Sequence, residues 1–475
     1  MLEKIFKLKE NNTTVKTEII AGLTTFMTMA YIIALNPNIL TNYGQGGQQL
    51  WNGVFLATCI ASFIGMAAMA FLANKPFCLG PGMGINAFFA VVVANLIAMT
   101  GMDYVQSFQS VMCIVLLEGI VFIILSLFSI REKIVDAIPL GVRLGIAPAI
   151  GMMLMNIGFG SNIYIADENF NQFFVMRDFF GALTAGQAKE AMGTAYPVMI
   201  LSVITLFVGL FVIVTLAHKG VKACVIIGML VASIVNWVGQ AVFLGSNPFA
   251  ALEGASFVPA FSDMAATTLF KFNFSGLADI GFFTVITLII TFCIIDMFDT
   301  IGTLVGTASR AGMLDKDGKM PQMKEALLAD AIGTVSGSLT GTSTITTFIE
   351  SASGVEAGGR TGLTAITTGV LFLACMFLAP IAAIIPAAAT SSALVYVGVL
   401  MVKGLTNIDF DDFSVVVPVA IMLIGMPISG SIGHAIGLGI ISYTVIKLCT
   451  GKAKEVSALT YVLSVLFLIK FFLAI

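Results

Sequence analysis

A chain of 475 residues that is 58% hydrophobic and only 10% charged departs far from the roughly 25% charged residues of soluble domains, which excludes a soluble enzyme or binding module. Its net charge of −3 comes without a basic patch of useful size, so nucleic acid is not an expected partner. The apolar runs are long and continuous rather than alternating, which excludes a membrane β-barrel and leaves an all-α polytopic membrane protein. Seven scattered cysteines without a CxxC pair, and two histidines, suggest neither a disulfide framework nor a metal site, and no cofactor is expected.

The N-terminal stretch MLEKIFKLKENN is charged and carries no cleavable signal pattern. The apolar run from Ile19 to Leu35 is long enough to act as an uncleaved anchor, and the bacterial cytoplasmic (inner) membrane is the expected home. Segments of spanning length then follow at about 18–40, 51–73, 83–99, 106–130, 136–160, 195–217, 221–243, 281–308, 326–341, 344–357, 361–385, 388–404, 412–428 and 431–449. Threading these fourteen with a cytoplasmic N-terminus puts eighteen of the twenty-three Lys and Arg inside. Arg177, Lys189 and Lys271 fall outside, and Arg143 and Lys470 lie within apolar stretches. The positive-inside rule is thus well satisfied, with long outside loops at about 161–194 and 244–280. A last apolar stretch, 456–474, is expected to lie along the inner interface, with one further crossing as the alternative. IVDAIP (134–139) resembles IAAIIP (381–386), and IIGMLVAS (226–233) resembles AIGLGIIS (435–442). Two seven-span halves follow, and an odd span number inverts the second half, the repeat pattern of secondary transporters.

Two of the fourteen segments are interrupted, and each is the third of its half. Segment 83–99 is entered through GPGMGIN, and segment 344–357 is rich in Ser, Thr and Gly. Broken backbone at membrane depth survives only where it is buried in protein or lines a cavity. Asn86 follows the glycines and offers both a donor and an acceptor. Glu350 closes the second stretch, with Thr346, Thr347 and Ser351 around it. Between them, the segment FCIIDMFDTIGTLVGTASRAG carries Asp296 and Asp299 in the middle of an apolar run. Each charged residue at the bilayer centre costs about 2.5–3.5 kcal/mol on insertion scales, and residues three apart share a helix face. Two carboxylates close together in a low dielectric cannot both ionise cheaply. Such a pair could take a proton on one side of the membrane and release it on the other. The competing reading is structural, an acid capping a half-helix or bonding a Thr hydroxyl; that reading is preferred for Glu118 and Asp330. Phe348, and less so Phe88, Phe89 and Phe298, could stack on a flat ring.

At these residues the chain resembles a known family. TEIIAGLTTFMTMAYIIALNP, PGMGINAFFA, DMFDTIGTLV, ALLADAIGT, GTSTITTFIESASGVEAGGRTGL and GKAKE are similar to motifs of the AzgA-like adenine/guanine/hypoxanthine permeases, of the second nucleobase–cation symporter group, over nearly the whole chain. The resemblance implies the uracil-permease fold, with short extended strands in segments 3 and 10. It implies a core domain from 1–133 and 270–385, a gate domain from 134–269 and 386–455, and a C-terminal hydrophobic helix from 456–475. It makes Asp296 and Glu350 the main purine contacts, Asn86 a site residue, and Asp299 one that tunes the site or its proton. Phe348, Thr347 and Ser351 complete the expected substrate site, with Asp299, Asp296 and Glu350 for proton coupling. The expectation is a proton-coupled importer of guanine or hypoxanthine, not an enzyme, with a homodimer implied by the fold alone. Adenine is the alternative substrate. An anion transporter or channel on the same fold is the rival class, disfavoured by acids without a basic residue in the expected site.

Overall fold

The structure, a computed structural model, describes residues 2–42, 44–128, 139–163, 196–310, 313, 320–429 and 432–473. Most of the expected outside loop at 161–194 and of the IVDAIP repeat lies outside these residues. The chain is helical almost throughout. After a short amphipathic turn α1 (Leu2–Phe6), the first span is built in two pieces, α2 (Val15–Met29) and α3 (Tyr31–Leu40), with Ala30 between them and Pro37 inside the second. Thr14 caps α2 by accepting from the Thr17 N–H. The second span, α4 (Gly47–Ala68), ends in a π-helical turn, Met69–Ala73.

The third segment is broken as the sequence suggests. Strand β1 (Leu79–Pro81) precedes α5 (Met83–Thr100). Next come α6 (Tyr104–Leu127), opened by an Asp103/Gln106 capping box, α7 (Leu140–Ile163), α8 (Tyr196–His218) and α9 (Cys224–Phe243). The expected outside loop at 244–280 holds two short helices, α10 (Phe261–Thr267) and α11 (Phe274–Asp279). The second half runs through α12 (Phe282–Arg310), α13 (Met323–Thr340), strand β2 (Ile345–Thr347), α14 (Ser351–Glu356), α15 (Gly362–Ala374) and α16 (Ala379–Ala383). It ends with α17 (Ala387–Val402), α18 (Phe413–Ser429), α19 (Ile432–Cys449) and α20 (Ala458–Leu473). Among the described residues, nine helices are long and apolar enough to cross a membrane, and four shorter apolar helices accompany them.

These helices pack in two groups. Helices α2 to α6 lie with α12 to α15, and α7 to α9 lie with α17 to α19. The groups meet where α3 touches α9 and α17, and where α12 touches α7 and α19. Gly341 shows how tightly the first group closes. It ends α13 at φ +102°, and a Cβ there would lie 2.1 Å from Thr268 Cβ, so no other residue fits that turn.

The last helix packs closely on the one before it. Helix α20 runs antiparallel along the whole of α19. Lys447 Nζ lies 2.6 Å from Glu455 at one end. The buried Thr444 and Ser464 hydroxyls bond at 2.8 Å midway, and the His434 and Phe471 rings lie 5.5 Å apart at the other end. Phe467 fills the space over Gly437, where a Cβ would come within 2.5 Å of its ring. The outer face is apolar and exposed at Val462, Val465, Leu466 and Ile469, and sixteen residues extend about 24 Å. At the hinge, the Lys447 ammonium donates to Glu455 and holds that carboxyl below its ordinary range. The antiparallel contact with α19 fits the alternative of one further crossing. Reporter fusions after residues 454 and 475 are therefore expected to give opposite signals, alkaline phosphatase active at one site and a cytoplasmic fluorescent protein at the other. Equal signals at both would return α20 to the surface.

Candidate functional site

Inside a bilayer each unpaired backbone polar group costs several kcal/mol, so two broken spans must satisfy one another. Strands β1 and β2 pair antiparallel, Leu79 opposite Thr347, Gly80 opposite Thr346 and Pro81 opposite Ile345. The ladder extends one step at each end. Phe348 N–H donates to Cys78 O and Gly82 N–H to Thr344 O, both at 3.0 Å. Helices α5 and α14 start directly beyond the paired residues, so each break turns into a half-helix at the same depth. Ser351 is drawn into this pairing, its Oγ accepting from the Cys78 N–H at 2.9 Å. Phe348 packs over Gly80, where a Cβ would lie 3.2 Å from its ring.

Behind the strands lies a fully buried polar network. Asp296 is completely enclosed, as are Thr300 and Asp330. Thr300 Oγ1 stands 3.3 Å from Asp296 Oδ1, 2.9 Å from Asp330 Oδ1 and 2.6 Å from Thr346 Oγ1. A hydroxyl has one hydrogen, so Thr300 donates to one of the two acids at a time and can accept from Thr346. Asn86 belongs to a second buried network. Its Nδ2 donates to Asn36 Oδ1 at 2.6 Å, and its Oδ1 accepts from Ser343 Oγ. Asn36 in turn donates to Thr58 and Thr342 at 2.6 and 2.9 Å. This chain of bonds ties the first three spans to the loop before β2. Glu118, on α6, accepts from Thr344 at 3.2 Å.

In front of the strands the acids are different. Asp299 and Glu350 are half-buried. Asp299 borders the end of β1, since a Cβ on Gly82 would lie 3.5 Å from its Oδ2. Asp330 and Glu350 are the charged groups that act on it. Glu350 Oε1 accepts from Tyr31 Oη at 2.8 Å. Thr347 is buried, and its hydroxyl has no hydrogen-bond partner among the described residues. The structure thus gathers Asp299, Glu350, Thr347, Ser351 and Phe348 around the strand pair. It places Asp296 one layer behind, and Asn86 in a network of its own. Phe88 and Phe89 pack on Phe292 and Phe108 at 4.9 and 5.2 Å; the Phe298 side chain lies outside the described residues.

Four residues escaped the sequence reading. Thr300 was legible in principle, lying four residues after Asp296 on the same face. Tyr31 and Asn36 sit in a run otherwise apolar and offer no spacing signal. Glu18, at the first turn of α2, is fully buried. It accepts from Arg360 N–H at 2.9 Å and from Thr364 Oγ1 at 2.6 Å, capping α15 from another span.

Two interrupted spans paired through short strands, with acids at the junction and helices in two packed groups, define a polytopic membrane transporter. The fold is that of the transmembrane domain of a cyanobacterium bicarbonate transporter, BicA (TM-score 0.58, 16% identity, 89% of this chain and 97% of that one). It is also that of SLC26A9 (TM-score 0.60, 12% identity, 92% and 66%). Residues 16–429 match the Permease family, and the chain belongs to that family. It is 36% identical to the guanine/hypoxanthine permease PbuO of Bacillus subtilis, over 99% of this chain and 100% of that one. It is 35% identical to the adenine permease AdeP of Escherichia coli, over 99% and 96%. A putative permease of Methanocaldococcus jannaschii is 39% identical over 99% and 98%. The resemblance drawn from the motifs is borne out at the level of the family.

The Asn86 network makes a measurable difference. Asn86→Ala leaves the buried Asn36 and Ser343 groups short of a partner, at about 1–3 kcal/mol. A clear fall in the thermal stability of the unliganded, detergent-purified protein is expected. An unchanged melting temperature with lost ligand binding would instead make Asn86 a ligand contact.

Proposed function

We propose that this protein is a proton-coupled symporter that imports purine nucleobases, guanine and hypoxanthine before adenine. The observation that carries the reading is the pair of half-buried carboxylates, Asp299 and Glu350, at the junction of the two broken spans. An oxopurine presents ring N–H donors and carbonyl or ring-nitrogen acceptors in one plane. The carboxylates accept from the N–H edge, and the Thr347 hydroxyl, without a partner among the described residues, and half-helix amides answer the acceptors. A site built to bond such groups strongly rejects a ligand lacking them. Phe348 supplies an apolar wall and Ser351 holds the strand turn.

The enclosed Asp296, sharing Thr300 with Asp330, suits a proton store better than a ring contact. Asn86 is assigned to positioning the third span. A neutral purine brings no countercharge, so a proton taken by these acids relieves their mutual repulsion when the ligand enters. The group formed by 1–133 and 270–385 then moves against the group formed by 134–269 and 386–455, and both solutes leave inside. The names of the relatives support the purine. The fold neighbours include a bicarbonate transporter, yet carboxylates at the junction disfavour an anion.

Uptake of labelled hypoxanthine, guanine, adenine and uracil by purine-transport-deficient cells tests the reading. Saturable oxopurine uptake is expected to collapse with a protonophore. Glu350→Gln and Asp299→Asn should each lower purine affinity about 10- to 100-fold, the loss of one bond to a charged group. Asp296→Asn should abolish accumulation against a gradient more than it weakens binding. Adenine uptake alone would change the substrate and keep the mechanism; no purine uptake from protein shown to be in the membrane would remove the function.

A further inference from the structure

We propose that Tyr31, on the first span, is a positioning residue that fixes which oxygen of the Glu350 carboxylate faces the ligand. The inference rests on the reading of Glu350 as a purine contact. Tyr31 is completely enclosed, and its hydroxyl donates to Glu350 Oε1 at 2.8 Å. Tyr31 holds Oε1 and the Glu350 backbone N–H also bonds the carboxylate, and the half-buried group keeps further lone pairs to accept from a ligand. A carboxylate tethered at one oxygen has lost its rotation before a ligand arrives, which lowers the ordering cost of binding.

A second contact on the same helix face supports the assignment. Thr28 lies three residues before Tyr31, and its Oγ1 shares a hydrogen bond with Ser353 Oγ at 3.0 Å. Ser353 closes the turn by donating both its N–H and its hydroxyl to Glu350 O, at 2.9 and 2.7 Å. The first span therefore grips the Glu350 turn twice, once at the acid and once at the backbone behind it. Met29, between the two, approaches Gly80 of the facing strand, its Cε 3.6 Å from where a Cβ would be. Tyr31 sits immediately after the break at Ala30, so its ring is held by the junction of two helical pieces, and the carboxylate it holds is referenced to that junction.

The test is a double-mutant cycle on the full-length purified protein, with equilibrium binding of labelled hypoxanthine, guanine and adenine to the parent, Tyr31→Phe, Glu350→Gln and the double variant. Phenylalanine fills the same buried space and removes only the donor. Tyr31→Phe is expected to weaken binding about tenfold, as for one bond to a charged group, and to have no further effect in the Glu350→Gln background. Equal losses in both backgrounds, or no loss in the parent background, would overturn the assignment and leave Tyr31 a packing residue. If the Phe variant does not reach the membrane, Thr28→Val takes its place in the cycle, since it frees the same turn with the ring intact. Additive losses there would equally overturn the proposal. A folded parent that binds none of the three purines would remove the proposed function, and with it this inference; purine binding by the parent with a failed cycle would remove this inference alone.

Discussion

The pairing of β1 with β2 is the interaction on which the rest depends. Extended backbone in hydrocarbon has no water to bond, and a three-residue strand cannot satisfy itself. Each break therefore exists only because the other, more than 260 residues away in sequence, lies beside it. The packing around them follows from that need. Ile345 projects onto Gly65, Gly333 and Gly337, where a Cβ on any of them would come within 3.0 to 3.2 Å of its side chain. Glycines on α4 and α13 let two helices approach the strands closely enough to exclude lipid and water from their backs.

With the strands in place, the acids separate into layers. Asp296, Asp330 and Glu118 lie at full burial, Asp296 beside a hydroxyl of its own helix and Asp330 and Glu118 beside hydroxyls from other segments. Asp299 and Glu350 lie at the front and remain partly open. Charge interactions strengthen steeply as the local dielectric falls, so enclosed and half-buried acids have different tasks available to them. The enclosed layer can share hydrogens among fixed partners. The open layer can meet a ligand. Glu18 shows that a buried acid can also be architectural, for it spends its oxygens on the Arg360 N–H just before α15 and the Thr364 N–H in its first turn.

The helical character, most helix bounds among the described residues to within a few positions, the interruption of segments 3 and 10 and the family were all legible, because each is written in local composition or in contiguous motifs. The acids were legible too, since a carboxylate in an apolar run is conspicuous. Their differing burial was not. Asp296 and Asp299 look equivalent three residues apart, and only the strands and α13 decide which is enclosed. The bonds of Asn86 to Asn36 and Ser343 were not legible either, because nothing in its own segment reveals those partners. For the final helix, charge counting could not reveal the buried Thr444–Ser464 bond or Phe467 over Gly437, which draw it along α19.

By itself, then, the sequence determined that this chain is a multi-span helical membrane protein of the Permease family, with its polar chemistry concentrated at two broken spans and one acidic helix. Hydropathy and motif are properties of neighbouring residues and need no fold to be read. Tertiary structure alone decided which acids are open, which oxygen of Glu350 is held, and what Asn86 and Glu18 bond. Those outcomes depend on contacts between residues hundreds of positions apart, where burial and the geometry of single hydrogen bonds, rather than residue type, set what each group can do.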